Sequence, residues 1–140
     1  MKVIIAGSRT FSGLAMQRII FDQLDKLRAS KWVFDEVVSG AARGPDTIGE
    51  AWADKLGITV KRFPANWQEH GYAAGPIRNA EMAEYADAAL IFWDELSKGS
   101  VDMRLQMERR NKKFVVYIPT WKMWGYNYGA SRQQKEIDYR

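Results

Sequence analysis

The chain has 140 residues, no Cys, one His and a formal net charge of +4, with 46% hydrophobic and 13% aromatic residues. Enough apolar surface is present to order one compact domain, which excludes disordered and collagen-like chains. Without Cys, and with a single imidazole, disulfide frameworks, thiolate zinc sites, Cys nucleophiles and multi-histidine metal cages are excluded as well.

Short β-branched runs alternate with longer stretches of helical period, the pattern of βαβ units in a parallel sheet. The chain opens MKVIIAGSRT, where residues 3–6 read as a buried strand, too short for the apolar core of a secretory leader. Beyond Ser12, Met16, Ile20, Leu24 and Leu27 recur at helical spacing and make one apolar stripe. A second strand is expected at 36–39. A helix opens behind it at Pro45, with Thr47 and Glu50 spaced as a capping box, and Gly57 ends it. Strands follow at 59–63, 89–93 and 114–118. Pro76 suits the first turn of a helix reaching Tyr85, and Ser100 is placed to cap a last helix running to Arg110. Residues 64–75 read as a long polar and aromatic loop holding Trp67 and His70. The expected fold is therefore α/β and Rossmann-like, a doubly wound, five-stranded, mainly parallel sheet with helices on both faces, formed by residues 1–118. Residues 119–140 contain Trp121, Trp124, Tyr126, Tyr128 and Tyr139 without a period. They are expected to act as an aromatic tail that pairs with a second copy, giving a dimer, or folds back on its own sheet.

Ligands of open parallel sheets bind at the carboxyl ends of the strands, beside the point where strand order reverses. Three such ends carry unusual residues. Gly7-Ser8-Arg9 offers a tight turn, a hydroxyl and a guanidinium ahead of a helix, a combination that attracts anions. Gly40-Ala41-Ala42-Arg43-Gly44 leads into Pro45-Asp46; Asp46 either complements the helix dipole or receives ribose hydroxyls. Gly99-Ser100 presents free amides at a helix start. Neither of the first two loops has the three spaced glycines of a dinucleotide fingerprint or the Lys of a P-loop, so no cofactor is expected, and no metal. Arg78 and Asn79 fall near the start of a helix, where an Arg opposes the dipole unless it meets a ligand anion or an internal partner such as Asp94 or Glu81. Trp93, at a strand end, and Trp67 are placed to stack on a base, and His70 invites a general-base role.

Taken together, GSR, VVSGAARGPD, NWQEHGYAAGPIRNAEM, ADAALIFWD and KGSVDM, in that order across residues 1–118, resemble the YspA-type, cpYpsA-related branch of the SLOG superfamily, which includes the DprA-like and LOG-like Rossmann-type domains. The resemblance implies a nucleotide or nucleotide-derived ligand held by the glycine-containing loops and by the Arg of the RN pair. Its site residues are then Gly7, Ser8, Arg9, Gly40, Ala41, Arg43, Gly44, Asp46, Arg78, Asn79, Trp93, Gly99 and Ser100. Some LOG-like relatives cleave the base from the ribose of nucleoside monophosphates, using an Arg and a Glu three residues beyond a Gly-Thr pair. Here Arg78 and Gly99-Ser100 fit, but Met103 stands at the carboxylate position, with Asp102, Asp94 and Glu108 as substitutes that no spacing requires. The expected function is therefore binding, as a sensor, carrier or sequestering protein. The alternatives are a phosphoribohydrolase with an unassigned carboxylate, and a DprA-like nucleic-acid-binding module using Arg104, Arg109, Arg110, Lys112 and Lys113. A cytoplasmic location is expected, with no membrane partner, since no apolar run approaches the roughly 20 residues of a membrane span.

Overall fold

Parallel strands covered on both faces are continuous apolar runs, and β-branched side chains suit them. The computed structural model describes residues 1–119 and the backbone of 134–138. Its strands are β1 (Lys2–Gly7), β2 (Glu36–Ser39), β3 (Thr59–Arg62), β4 (Ala88–Phe92) and β5 (Lys113–Pro119). All five pair in parallel, with Val3 opposite Val37 and Ala88, Val37 opposite Val60, and Leu90 opposite Val115. Their spatial order is β3-β2-β1-β4-β5. A sixth strand, β6 (Gln134–Asp138), runs antiparallel beside β5, with Gln134 opposite Pro119. The sequence reading has five strands and misses this one, because Gln-Lys-Glu-Ile-Asp lacks the β-branched run that marks the others. The remainder of the aromatic tail, and the pairing expected of it, lies outside the described residues.

Successive residues of a strand face opposite sides, and this splits the core in two. Val3, Ile5, Val37 and Leu90 pack under α1 (Leu14–Ala29) and α2 (Pro45–Leu56), with Met16, Ile20 and Leu24 forming the stripe read from the sequence. Ile4, Val38, Ala89 and Ile91 face α4 (Ala74–Tyr85) and α5 (Lys98–Arg109), which supply Met82, Met103 and Met107. Trp52 is fully buried and donates its indole N–H to Asp25 at 2.9 Å, so its polar tip is satisfied inside an otherwise apolar layer. Among the described residues, no helix is long and apolar enough to cross a membrane.

Two helix starts and one loop differ from the sequence reading, while Pro76 falls in a first turn as expected. Thr47 and Glu50 form no capping box: Thr47 Oγ1 donates to the carbonyl of Gly44, the residue that precedes α2, and Glu50 accepts from Ser39 and Arg62. Ser97, not Ser100, caps α5 and accepts the Ser100 amide at 3.4 Å. The expected loop at 64–75 holds the short helix α3 (Trp67–His70) and a 3-10 turn (Gly71–Ala73) that runs directly into α4, so Pro76 lies inside the first turn.

Candidate functional site

Chain order reverses between β1 and β4, and a cavity of about 670 Å³ opens at that point, above the carboxyl ends of the strands. The three strand-end loops meet there. Gly7, Arg9 and Thr10 come from the first, Ala42 and Asp46 from the second, and Asp94, Leu96, Gly99 and Ser100 from the third. Helix α4 adds Arg78 and Asn79, and the α3 region adds Trp67 and Tyr72.

Six of the site residues read from sequence are not part of this wall. Ser8 is buried; its hydroxyl accepts the Asp94 amide at 3.0 Å and lies 3.4 Å from that of Ser100, tying the first loop to the third. Gly40 offers its carbonyl to Arg78 Nη1 at 2.5 Å. A Cβ on Gly40 would lie 2.5 Å from that same nitrogen and 2.7 Å from Asp46 Oδ2, so only a glycine leaves room for the pair. Ala41 adopts a left-handed φ of 60° and donates its amide to Ser39 Oγ at 3.0 Å. Gly44, with φ 95°, makes the turn into α2. Arg43 is exposed and has no hydrogen bond or ion pair among the described residues. Trp93 packs against the α4/α5 core and donates its indole N–H to the Ser97 carbonyl at 3.0 Å. The aromatic rings at the cavity are instead Trp67, half exposed and 6.0 Å from the Arg9 guanidinium, and the fully exposed Tyr72.

The polar groups form one connected system. Arg78 Nε donates to Asn79 Oδ1 at 3.1 Å, and the buried Asn79 amide nitrogen donates to Asp102 Oδ2 at 3.0 Å and to the Gly99 carbonyl at 3.3 Å. Arg78 makes no ion pair among the described residues, so the expected internal partners Asp94 and Glu81 do not take it. Burial lowers its pKa, the charge of Asp46 works the other way, and Arg9 adds repulsion. Its Nη2 has no hydrogen bond among the described residues and is available to an anion. Burial pushes Asp46 up to about 6, against the Ala42 amide and the charge of Arg78, with Glu50 adding to the rise. Burial also opposes the charged form of Asp94, but the amides of Leu96 and Ser97 and the hydroxyls of Thr10 and Ser8 outweigh it and hold the group below its ordinary range. Two guanidiniums that repel one another across a cavity, neither of them paired with a carboxylate, make a site that gains by taking up an anion.

His70 lies outside the cavity wall, its ring 3.6 Å from Glu69. The sequence reading misses Tyr72, Leu96 and Lys98 as wall residues. For Tyr72 the signal was the aromatic character of residues 64–75; Leu96 and Lys98 carry none, being ordinary residues placed by the turn that Asp94 builds.

The model of the YspA, cpYpsA-related SLOG family matches residues 1–70, which hold the first two strand-end loops. The Gene 61 protein of Mycobacterium phage D29 is 36% identical over 98 residues, covering 65% of this chain and 75% of that protein. No solved structure matches at comparable significance.

Proposed function

Because this chain belongs to the YspA, cpYpsA-related SLOG family, we propose that its strand-end cavity binds a nucleotide or a nucleotide-derived small molecule, and that the protein acts as a sensor, carrier or sequestering module. The observation that carries this reading is Arg78, a guanidinium at the cavity wall with no ion-pair partner among the described residues and an unengaged Nη2. Arg9 supplies a second positive charge, Trp67 an exposed ring for a base, and the start of α5 the favourable end of a helix dipole.

Binding is preferred over hydrolysis because Met103, at the position of the LOG-type glutamate, is a buried core residue and has no proton to exchange with a leaving base. A nucleic-acid role for the basic run at 104–113 is disfavoured by its internal engagements. Lys112 Nζ donates to the carbonyls of Ala83, Glu84 and Ala86, Arg110 pairs with Glu84, Arg104 with Glu108, and Lys113 lies over the Trp32 ring.

Calorimetric titration with adenosine 5′-monophosphate tests the reading. Arg78→Ala is expected to weaken binding by about 1.5–3 kcal/mol, the size of a charge-assisted hydrogen bond. Unchanged affinity, or a loss of thermal stability large enough to unfold the free variant, contradicts it.

A further inference from the structure

We propose that Asp102 sets the ligand specificity of this cavity by accepting hydrogen bonds from the vicinal hydroxyls of a phosphorylated ribose, so that ribonucleotides are taken in preference to deoxyribonucleotides. The inference rests on the nucleotide reading above and goes beyond it by assigning the sugar.

Three carboxylates line the cavity, and their engagements differ. Asp94 is the most engaged: Oδ1 is filled by the Leu96 and Ser97 amides, both at 2.8 Å, and Oδ2 accepts the Thr10 hydroxyl at 2.9 Å, so three short bonds hold it to the first and third loops. Asp46 is almost wholly buried, with Oδ2 turned to the Ala42 amide, and is too enclosed to meet a sugar. Asp102 is only half-buried. Its Oδ2 accepts from Asn79 at 3.0 Å, and its Oδ1 has Gln106 Nε2 at 3.4 Å, a long contact. Each carboxylate oxygen has room for a second donor, so accepting capacity is left toward the cavity.

The arrangement of Asn79 supplies the rest of the argument. One amide holds the Arg78 guanidinium by its oxygen, at 3.1 Å, and the Asp102 carboxylate by its nitrogen, at 3.0 Å, fixing an anion-seeking group and a donor-seeking group on either side of it. A free phosphate satisfies Arg78 and is repelled by Asp102, while a neutral diol leaves the guanidinium unanswered. A ribose 5-phosphate unit presents an anion and two hydroxyl donors within one short molecule and answers both. A site built to meet a hydroxyl discriminates against the analogue lacking it, because the accepting capacity that Asn79 and Gln106 leave over is then desolvated and unanswered.

The test measures the affinities of the four ribonucleoside 5′-monophosphates and their 2′-deoxy and 3′-deoxy counterparts for the full chain and for Asp102→Ala. The unmodified protein is expected to bind its preferred ribonucleotide about 10- to 100-fold more tightly than either deoxy form. Asp102→Ala should lose a similar factor for the ribonucleotide and bind all three forms alike. Should that variant not fold, Asp102→Asn, which keeps the size and loses the charge, is expected to narrow the ribo-over-deoxy ratio to about 2- to 5-fold, because an amide still bonds a hydroxyl but without charge assistance. Equal binding of ribo and deoxy forms by the unmodified protein overturns the inference and leaves the nucleotide reading standing. Discrimination that survives in Asp102→Ala overturns the assignment to this residue. Binding of none of the nucleotides overturns the nucleotide reading, and this inference with it.

Discussion

Asp46 is a carboxylate only 4% exposed, and it has no ion-pair partner among the described residues. Burial lifts its pKa from the ordinary 3.8 to about 6. Below pH 3.8 the folded and unfolded chains both carry the proton, and the group costs nothing. As pH rises from 3.8 to 6 the unfolded chain ionises first, so stability falls, and above 6 the penalty is complete, on the order of 3 kcal/mol. Asp46→Asn removes that penalty, a net cost in which the attraction to Arg78 is already included, while its neutral amide meets the Ala42 N–H less strongly than a carboxylate does. It is expected to stabilise the unliganded protein by about 1–2 kcal/mol in urea denaturation at pH 7.5, with the gain gone at pH 4. An equal difference at both pH values would show that the carboxylate is not under this strain. At this scale the sequence shows which residue types stand at the strand ends, but not which way they turn. Trp93 and Trp67 are both aromatic and near the site, yet the core takes the first and the cavity the second. Neither the link from Arg78 through Asn79 to Asp102 nor the seating of Asp46 against Gly40 has a signature in spacing, because α4 meets the second and third loops only in the fold.

Between elements, β1 and β4 leave no room for a side chain at Gly7. A Cβ there would lie 2.3 Å from the Phe92 carbonyl oxygen and 2.7 Å from Pro45, and backbone cannot yield as a side-chain end does. Gly7→Ala is expected to cost about 3 kcal/mol, the upper part of the overpacking range, and calorimetric unfolding measures it directly; a loss under 1 kcal/mol would mean that the strands separate freely. Lys112 is the second joint, its ammonium closing the end of α4 on three carbonyls at 2.7–2.8 Å. Lys112→Met should lower stability by about 1–2 kcal/mol while leaving nucleotide affinity unchanged. A loss of affinity with stability intact would assign the basic run to a ligand. Strands β1, β4 and β5 are legible because burial on both faces writes a continuous apolar run, whereas β3, Thr-Val-Lys-Arg and mostly exposed at the sheet edge, is marked by Gly57 before it and Pro64 after it. Helix starts are less so: Ser97 and Ser100 are chemically equivalent caps, and the choice falls to the turn that Asp94 makes by accepting the Leu96 and Ser97 amides. Residues 64–75 likewise read as a loop although Trp67–His70 and Gly71–Ala73 are helical and lead into α4 at Ala74.

For the whole molecule, the alternation of strands and helices dictates a parallel sheet, while the order 3-2-1-4-5 is set by packing and is not written in the alternation. The parallel sheet brings all three glycine-containing loops to its carboxyl edge. That much of the site was readable before any coordinate, since a parallel sheet has one carboxyl edge and each motif follows a strand. Strand β6 has no such mark, because Gln-Lys-Glu-Ile-Asp holds a single apolar residue and no β-branched run. At 16.1 kDa the chain suits residue-by-residue mapping in solution. The most direct test of the account is the change in backbone amide shifts when the isotope-labelled protein is titrated with the four ribonucleoside 5′-monophosphates. The account predicts that the largest changes fall together on Gly7, Arg9, Thr10, Ala42, Asn79, Gly99 and Ser100. Changes centred on the groove of Arg28, Trp32 and Phe34, or no saturable change with any of the four, would contradict it.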